Sequence, residues 1–262
     1  KAVANIHEII APALVGTDVT NQQDIDEKML ALDGTSSKSK LGANAILGVS
    51  LAVLDAGSKT LELPLYQYIN EVFFNINGKK PRMQMPTPML NIINGGEHAD
   101  NNIDIQEFMI MPVGANNFSQ AMQWASEIYS DLKNILNAKG LSTSVGDEGG
   151  FAPNLKSNQE AIELIIQAIR NNNLTEGKDV GIALDCAASE FYNKGIYNLQ
   201  GESTKLNSSE FTNYLSELTR QYPIFSIEDG MDESDFEGWK NLNKALGDSC
   251  QLVGDDLFVT NV

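Results

Sequence analysis

The chain has 262 residues, 42% of them apolar, and its 35 acidic against 18 basic side chains leave a net charge of −17. That balance repels phosphate backbones and anionic bilayers, so it excludes nucleic acid and a membrane surface as natural partners; an anionic substrate then needs a metal ion or locally gathered cations to hold it. Two cysteines are too few for a disulfide framework, and no apolar run approaches the roughly 18 residues of a membrane span, so the expectation is a reduced, cytoplasmic protein with no membrane span and no signal peptide.

The first third reads as helical. Ile6, Ile9, Ile10, Ala13 and Leu14 fall at helical spacing, residues 24–32 form a short amphipathic piece, and 41–56 form an alanine-rich helix with Gly57 at its end. Between the last two, 33–40 is polar and turn-like. The stretch 75–86, with Gly78 and two prolines, marks a domain boundary, with Lys79, Lys80 and Arg82 in a solvated linker, and the chain divides into 1–80 and 81–262.

Beyond the boundary, strands alternate with helices. Strands are predicted at 88–93 and 105–111, then a long helix over 117–139 with Met122, Ala125, Ile128, Tyr129, Leu132, Ile135 and Leu136 on its buried side. A helix at 159–170 and an apolar strand at 180–184 follow. Next comes a helix at 209–220, capped by Ser208 or Ser209, with Phe211, Leu215 and Leu218 on one face. A strand at 224–227, a helix at 235–246 and a strand at 252–253 end the series. Two consecutive strand-helix-strand units predict a parallel sheet, open or closed into a barrel.

Three of these strands end in carboxylates: Asp185, Glu228 with Asp229, and Asp255 with Asp256. Their spacing is that of strand-loop-helix units, which places all three at the carboxyl end of the sheet, where such folds build their sites. Taken singly, each is equally a helix cap or a solvated loop residue. As a set they repel one another unless a hard cation sits between them, and oxygen donors of this kind suit Mg2+.

Asn94-Gly95-Gly96-Glu97-His98 sets His98 beside a tight glycine turn; a histidine so placed is either catalytic or structural. His7 opens a near miss of the zinc motif, with Ala11 where the second histidine belongs, and reads as a helix-surface residue. In the strand that follows His98, period-2 alternation sets Glu107 with Ile105, Met109 and Met111, and Gln106 with Phe108 and Ile110. A carboxylate on an apolar face is costly unless paired, so Glu107 is a candidate for a task, the alternative being an exposed strand end. Gly146-Asp147-Glu148-Gly149-Gly150-Phe151-Ala152-Pro153 is a loop of unusual backbone able to carry Glu148 to a ligand. Phosphate-binding, dinucleotide-binding and serine-elbow motifs are missing, which removes most of the support for nucleotide cofactors and for a serine hydrolase.

Together these blocks resemble the enolase family, the phosphopyruvate hydratases of glycolysis, of bacterial type. The likeness runs through residues 38–50, 94–102, 106–109, 146–153, 183–190, 226–229 and 254–257. It implies an α/β fold: an enolase-type modified TIM barrel, incomplete here, over 81–262, preceded by the helical part of a small α+β N-terminal domain over 1–80. It implies Asp185, Glu228 and Asp255 as Mg2+ ligands, Glu148 as general acid with Glu107 beside it raising its pKa by crowding, and His98, Gln106 and Glu107 as substrate contacts. It also implies a small phosphorylated substrate, 2-phosphoglycerate, dehydrated to phosphoenolpyruvate, and a homodimer or larger assembly in the cytoplasm.

Two departures stand out. Gly230 stands where the family commonly has proline and Phe236 where tryptophan is usual, which puts the rigidity of that loop in doubt. The chain also looks cut at both ends: the serine-bearing lid loop of the family has no counterpart, and none of the residues after Asp255 is a lysine or arginine that could be the base. The expectation is a segment holding the metal half of the site and the acid, inactive alone, with open sheet edges that leave it marginally stable. The alternatives are another dehydratase or lactonising enzyme of the same superfamily, and a non-catalytic acidic scaffold on an enolase fold.

Overall fold

A computed structural model describes residues 1–79 and 81–261, and the chain divides into the units Lys1–Gln84 and Met85–Val262. Lys80, assigned above to the linker, and Val262 lie outside the described residues.

The first unit is helical. Helix α1 covers residues 2–14, α-helical at Ala2–Asn5 and Ala11–Leu14 and widened to a π-helix at Ile6–Ile10. Helix α2 is Gln22–Asp33, begun by the Asn21 side chain accepting the Asp24 N–H and ended by left-handed Gly34. Helices α3, Ala43–Thr60, and α4, Leu65–Asn77, complete the unit. The core is Ile10, Ile25, Met29, Leu41, Ala45 and Ile46; of the five apolar residues assigned to the first helix, only Ile10 is fully buried.

Gly57 does not end α3, which runs on to Thr60. It is a contact instead of a terminator: a Cβ there would lie 2.5 Å from the hydroxyl of buried Tyr68, which donates to the Thr20 carbonyl at 3.1 Å. Tyr68 belongs to α4, a helix that the sequence reading did not assign.

The second unit is built on a five-stranded sheet, β1 (Leu90–Asn94), β2 (Glu107–Met111), β3 (Gly181–Asp185), β7 (Ile224–Glu228) and β8 (Gln251–Val253), in the order β1-β2-β3-β7-β8. A separate three-stranded sheet of β4 (Tyr192–Asn193), β5 (Ile196–Leu199) and β6 (Thr204–Asn207) follows β3 and was not anticipated. The helices are α5 (Phe118–Ala138), α6 (Asn158–Asn171), α7 (Ser208–Gln221) and α8 (Phe236–Leu246). The result is a mixed α/β, incomplete and unclosed barrel.

The expected parallel sheet is only partly parallel. β3, β7 and β8 run parallel, each linked through a helix, but β2 is antiparallel to both β1 and β3. The β1–β2 connection carries no crossover helix, and a parallel neighbour needs one. The cap of α7 is Asn207, not Ser208 or Ser209: its side chain accepts from Ser209 and Glu210 while the Glu210 carboxylate accepts the Asn207 N–H, a reciprocal capping box.

The α5 stripe Ala125, Ile128, Leu132, Ile135 and Leu136 packs with Phe108, Ile110, Ile182, Leu184 and Ile227 on the outer face of the sheet. Met122, expected in that stripe, is 40% exposed. Among the described residues, no helix is long and apolar enough to cross a membrane.

Leu132 is fully buried in this core. Leu132→Ala is expected to lower unfolding stability by about 2–5 kcal/mol in urea titration, against about 0.5 kcal/mol or less for Met122→Ala. Equal effects at the two positions would place the core elsewhere.

Candidate active site

Backbone register brings the acids together. Glu107 pairs with Asp185 across β2 and β3, and Asp185 pairs with Glu228 across β3 and β7. Directly opposed residues share a face, so the three carboxylates form one row on the inner side of the sheet. Because β2 is reversed, its first residue lands at the same edge as the last residues of β3 and β7. Asn94, the last residue of β1, continues the row beyond Glu107.

A β-bulge in β1 adds a fifth polar group. The register slips between Asn91 and Ile93, so Asn91 pairs with Met109 while Asn94 pairs with Glu107. Three positions apart, the two asparagines belong on opposite faces of a regular strand; the extra residue turns both inward. Asn91 then donates from Nδ2 to Glu148 Oε2 at 3.3 Å. Neither asparagine was singled out from the sequence, and two amides breaking the apolar run Leu90–Asn94 were the available signal.

The loop bearing Glu148 is fitted to Asn94. A Cβ on Gly146 would lie 2.8 Å from that of Asn94, and one on Gly150 2.6 Å from its Oδ1, so only glycine lets the loop close over this buried amide. Phe151 N–H donates to the Ile92 carbonyl and Asn94 N–H to the Phe151 carbonyl. Tyr129 stacks on Phe151 at a centroid distance of 4.3 Å and donates to the Gly149 carbonyl at 2.7 Å. The Asp147 N–H donates to the His98 carbonyl at 3.0 Å, tying the two loops to each other. His98 Nδ1 thereby stands 3.4 Å from Glu107 Oε1 and 3.9 Å from Glu148 Oε2.

On the other side of Glu107, Asp185 Oδ1 accepts from the Ala187 N–H at 3.0 Å and Oδ2 from Gln106 Nε2 at 3.4 Å. Asp229, in a left-handed conformation just after Glu228, turns its buried carboxylate to the N–H groups of Asp255, Asp256 and Leu257. It therefore sets the turn carrying Asp255, a positioning task hidden from the sequence because Asp229 reads as one more acid. Rigidity after Glu228 does not depend on a proline. The Asp232 N–H donates to the Tyr197 hydroxyl, that hydroxyl donates to Asp235, and Trp239 donates to the Asp232 carbonyl.

Of the sequence-derived set, the structure gathers Glu107, Asp185 and Glu228 in one row, with Gln106 against Asp185 and His98 and Glu148 against Glu107. Asp255 is exposed, beyond the end of β8. Among the described residues, the group of three whose ligand atoms all lie within 4.8 Å of one another is His98, Glu107 and Glu148; Asp185, Glu228 and Asp255 are not drawn that close.

Burial lifts Glu107 to about 9, helped by its hydrogen bond to Glu148 and by Asp185. Asp185 rises to about 6 and Glu228 to about 7, each first through burial and then through neighbouring acids. Glu148, more exposed, is held below its ordinary range, first by the hydrogen bond from Glu107 and then by Asn91. This reverses the expectation that crowding would raise Glu148: the deeper partner keeps the proton. The row offers oxygen donors from adjacent strand ends in partial desolvation, a donor set that fits a hard divalent cation.

Folded Asp185 and Glu228 bind protons that the unfolded chain releases nearer 3.8 and 4.5. The folded state therefore holds more protons between those values and about 6–7, and stability falls as pH rises through that window. Glu107 prolongs the fall towards about 9. Scanning calorimetry in chelating buffer is expected to show a declining Tm across this range and a shallower decline in Asp185→Asn. A Tm that rises there would refute the crowding.

The family profile for the enolase C-terminal TIM barrel domain matches residues 82–262, and that for the enolase N-terminal domain matches residues 1–69. A divalent metal and a small phosphorylated substrate are properties that the barrel family implies. Read with the carboxylate row and the loop pair around Glu107, these matches show that the chain belongs to the enolase family.

Proposed function

We propose that this protein catalyses the reversible dehydration of 2-phosphoglycerate to phosphoenolpyruvate, with Mg2+ held by Asp185, Glu228 and Asp255. The observation that carries the reading is the hydrogen-bonded pair Glu107–Glu148 beside His98, one register position from Asp185. Superfamily enzymes in general share carboxylates at strand ends; a half-buried acid that keeps its proton beside a second acid on a glycine loop supplies the proton donor that departure of a hydroxide needs.

Removing a proton next to a carboxylate develops a second negative charge, and a bound divalent cation supplies electrostatic stabilisation for it. The chain's own groups handle the other end of the reaction. Glu107 keeps a proton at neutral pH, and Glu148, 47% exposed, faces the approach to the site. Glu107 hands its proton across the shared hydrogen bond to Glu148, which passes it to the departing hydroxide; the hydroxide leaves as water and Glu107 is left ionised. His98 and Gln106 provide the donors that orient the substrate. Placement in cytoplasmic glycolysis, in a dimer or larger assembly, follows from the same reading.

The test is the rate of phosphoenolpyruvate formation with Mg2+ in the full-length protein. Glu148→Gln is expected to lower kcat by about a hundred- to ten-thousand-fold, the usual worth of a general acid, and Asp185→Asn to remove Mg2+ activation. Loss of the proton on Glu107 makes activity fall as pH rises past about 9, and Glu107→Gln, with no proton to give, should lower kcat at every pH. Full activity in Asp185→Asn would overturn Asp185 as a Mg2+ ligand, and no phosphoenolpyruvate formation by the unsubstituted protein would overturn the reading in favour of a non-catalytic scaffold.

A further inference from the structure

Asn94 stands out in the polar network around Glu107. Its side chain is fully buried and sits opposite Glu107 in register, yet among the described residues neither its Oδ1 nor its Nδ2 has a hydrogen-bond partner. Buried amides are almost always paired, so one left unpaired marks strain that another arrangement of its surroundings relieves.

The partner within reach is the loop of Glu148. A Cβ built on Gly150 would lie 2.6 Å from Asn94 Oδ1, so the Gly150 main chain runs directly against the amide. The N–H groups of Gly146, Asp147, Gly149 and Phe151 are committed to the carbonyls of Gly150, His98, Gly146 and Ile92. The Gly149–Gly150 peptide is held instead by its oxygen, which accepts from the Tyr129 hydroxyl at 2.7 Å. Carbonyl and N–H point in opposite directions in a trans peptide, so turning this plane exchanges the bond to Tyr129 for one from the Gly150 N–H to Asn94. Gly149 is left-handed at φ +86° and neither flanking residue carries a Cβ, so no side chain opposes the turn. Glu148 is the residue just before this peptide and moves with it.

We propose that Tyr129 and Asn94 are opposed positioning residues for Glu148. Tyr129 holds the Gly149–Gly150 peptide as it stands in this structure, and Asn94 Oδ1 accepts the Gly150 N–H in a second arrangement, reached when substrate binds, that carries Glu148 to the leaving group. The delivery of Glu148 rests on the proposed function; the exchange of bonds does not. An apolar side chain of the same shape would stabilise the free protein and remove the second arrangement.

The experiment is amide hydrogen exchange at Gly150, read by NMR on the full-length protein with isotope-labelled glycine, alongside Tm and steady-state kinetics. Tyr129→Phe keeps the ring stacked on Phe151 but releases the Gly149 carbonyl. It is expected to slow Gly150 exchange in the free protein by roughly tenfold, a readout that stands whether or not Asn94→Leu folds, and adding Asn94→Leu should reverse it. Asn94→Leu alone should leave Tm unchanged or higher, while kcat with Mg2+ and 2-phosphoglycerate falls roughly tenfold at unchanged KM. A lower Tm in Asn94→Leu with kcat unchanged would make the amide a packing group, and Gly150 exchange indifferent to Tyr129→Phe would show that the peptide does not turn; either result overturns the proposal. Failure of the dehydratase reading appears separately, as no phosphoenolpyruvate formation by the unsubstituted protein, and the exchange comparison in the free protein still decides between the two arrangements.

Discussion

Like charge held in register is the constraint on which the second unit depends. Glu107, Asp185 and Glu228 occupy adjacent places in one row because hydrogen-bond pairing fixes which residues stand opposite. The strands cannot slide to relieve the repulsion. A slip of one residue would turn Leu184 and Ile227 away from the helix layer and bury the acids among Ile128, Leu132 and Ile165. The apolar face thus enforces the polar one: hydrophobic packing outside the sheet holds the carboxylates together inside it. Their proton affinities follow, each raised by burial and by neighbouring acids.

Charge held this way is useful only if its surroundings are stiff, and the polar networks around the row provide that stiffness. Asp229 gathers three main-chain N–H groups and sets the turn of Asp255. Asn158, fully buried at the start of α6, accepts the Ile105 N–H and donates to Tyr214, fixing the chain just before Gln106 and Glu107. Glu202, in the turn between β5 and β6, accepts from both the Asn158 N–H and the Tyr214 hydroxyl. The small three-stranded sheet therefore acts as a brace for β2. Asn158, Tyr214 and Glu202 are far from Glu107 in sequence but reach the chain just before it through one or two hydrogen bonds.

Much of this was legible in the sequence. The long helix of the second unit, the apolar strand that ends in Asp185 and the strand that ends in Glu228 are local patterns, with one face apolar at the proper period, and they were readable as such. The motif residues His98, Glu107, Glu148 and Asp185 were also identifiable, since costly groups in glycine turns and apolar strands are conspicuous. What escaped was non-local. The reversal of β2 depends on a connection without a crossover helix, and the inward turn of Asn91 depends on a bulge that alternation cannot foresee. Helix α4 escaped although Tyr66, Ile69, Phe73 and Ile76 recur at helical spacing on one face; that apolar face stays exposed in the first unit. The direction of proton sharing between Glu107 and Glu148 was read backwards because burial depth is a property of the fold.

The reversed strand also explains why one sheet edge can carry two chemistries. Asp185 and Glu228 end parallel strands and are paired in register; burial is the first cause of the rise in both, and Asp185 also raises Glu228. Glu107 begins an antiparallel strand, which places it at the same edge beside His98 and Glu148. Desolvation is the first cause of its high proton affinity, and its hydrogen bond to Glu148 the second. A site that must hold positive charge at one point and deliver a proton a few ångströms away needs this division. A wholly parallel sheet would bring up strand ends of one kind only; turning one strand over supplies the second kind without breaking the register that holds the first.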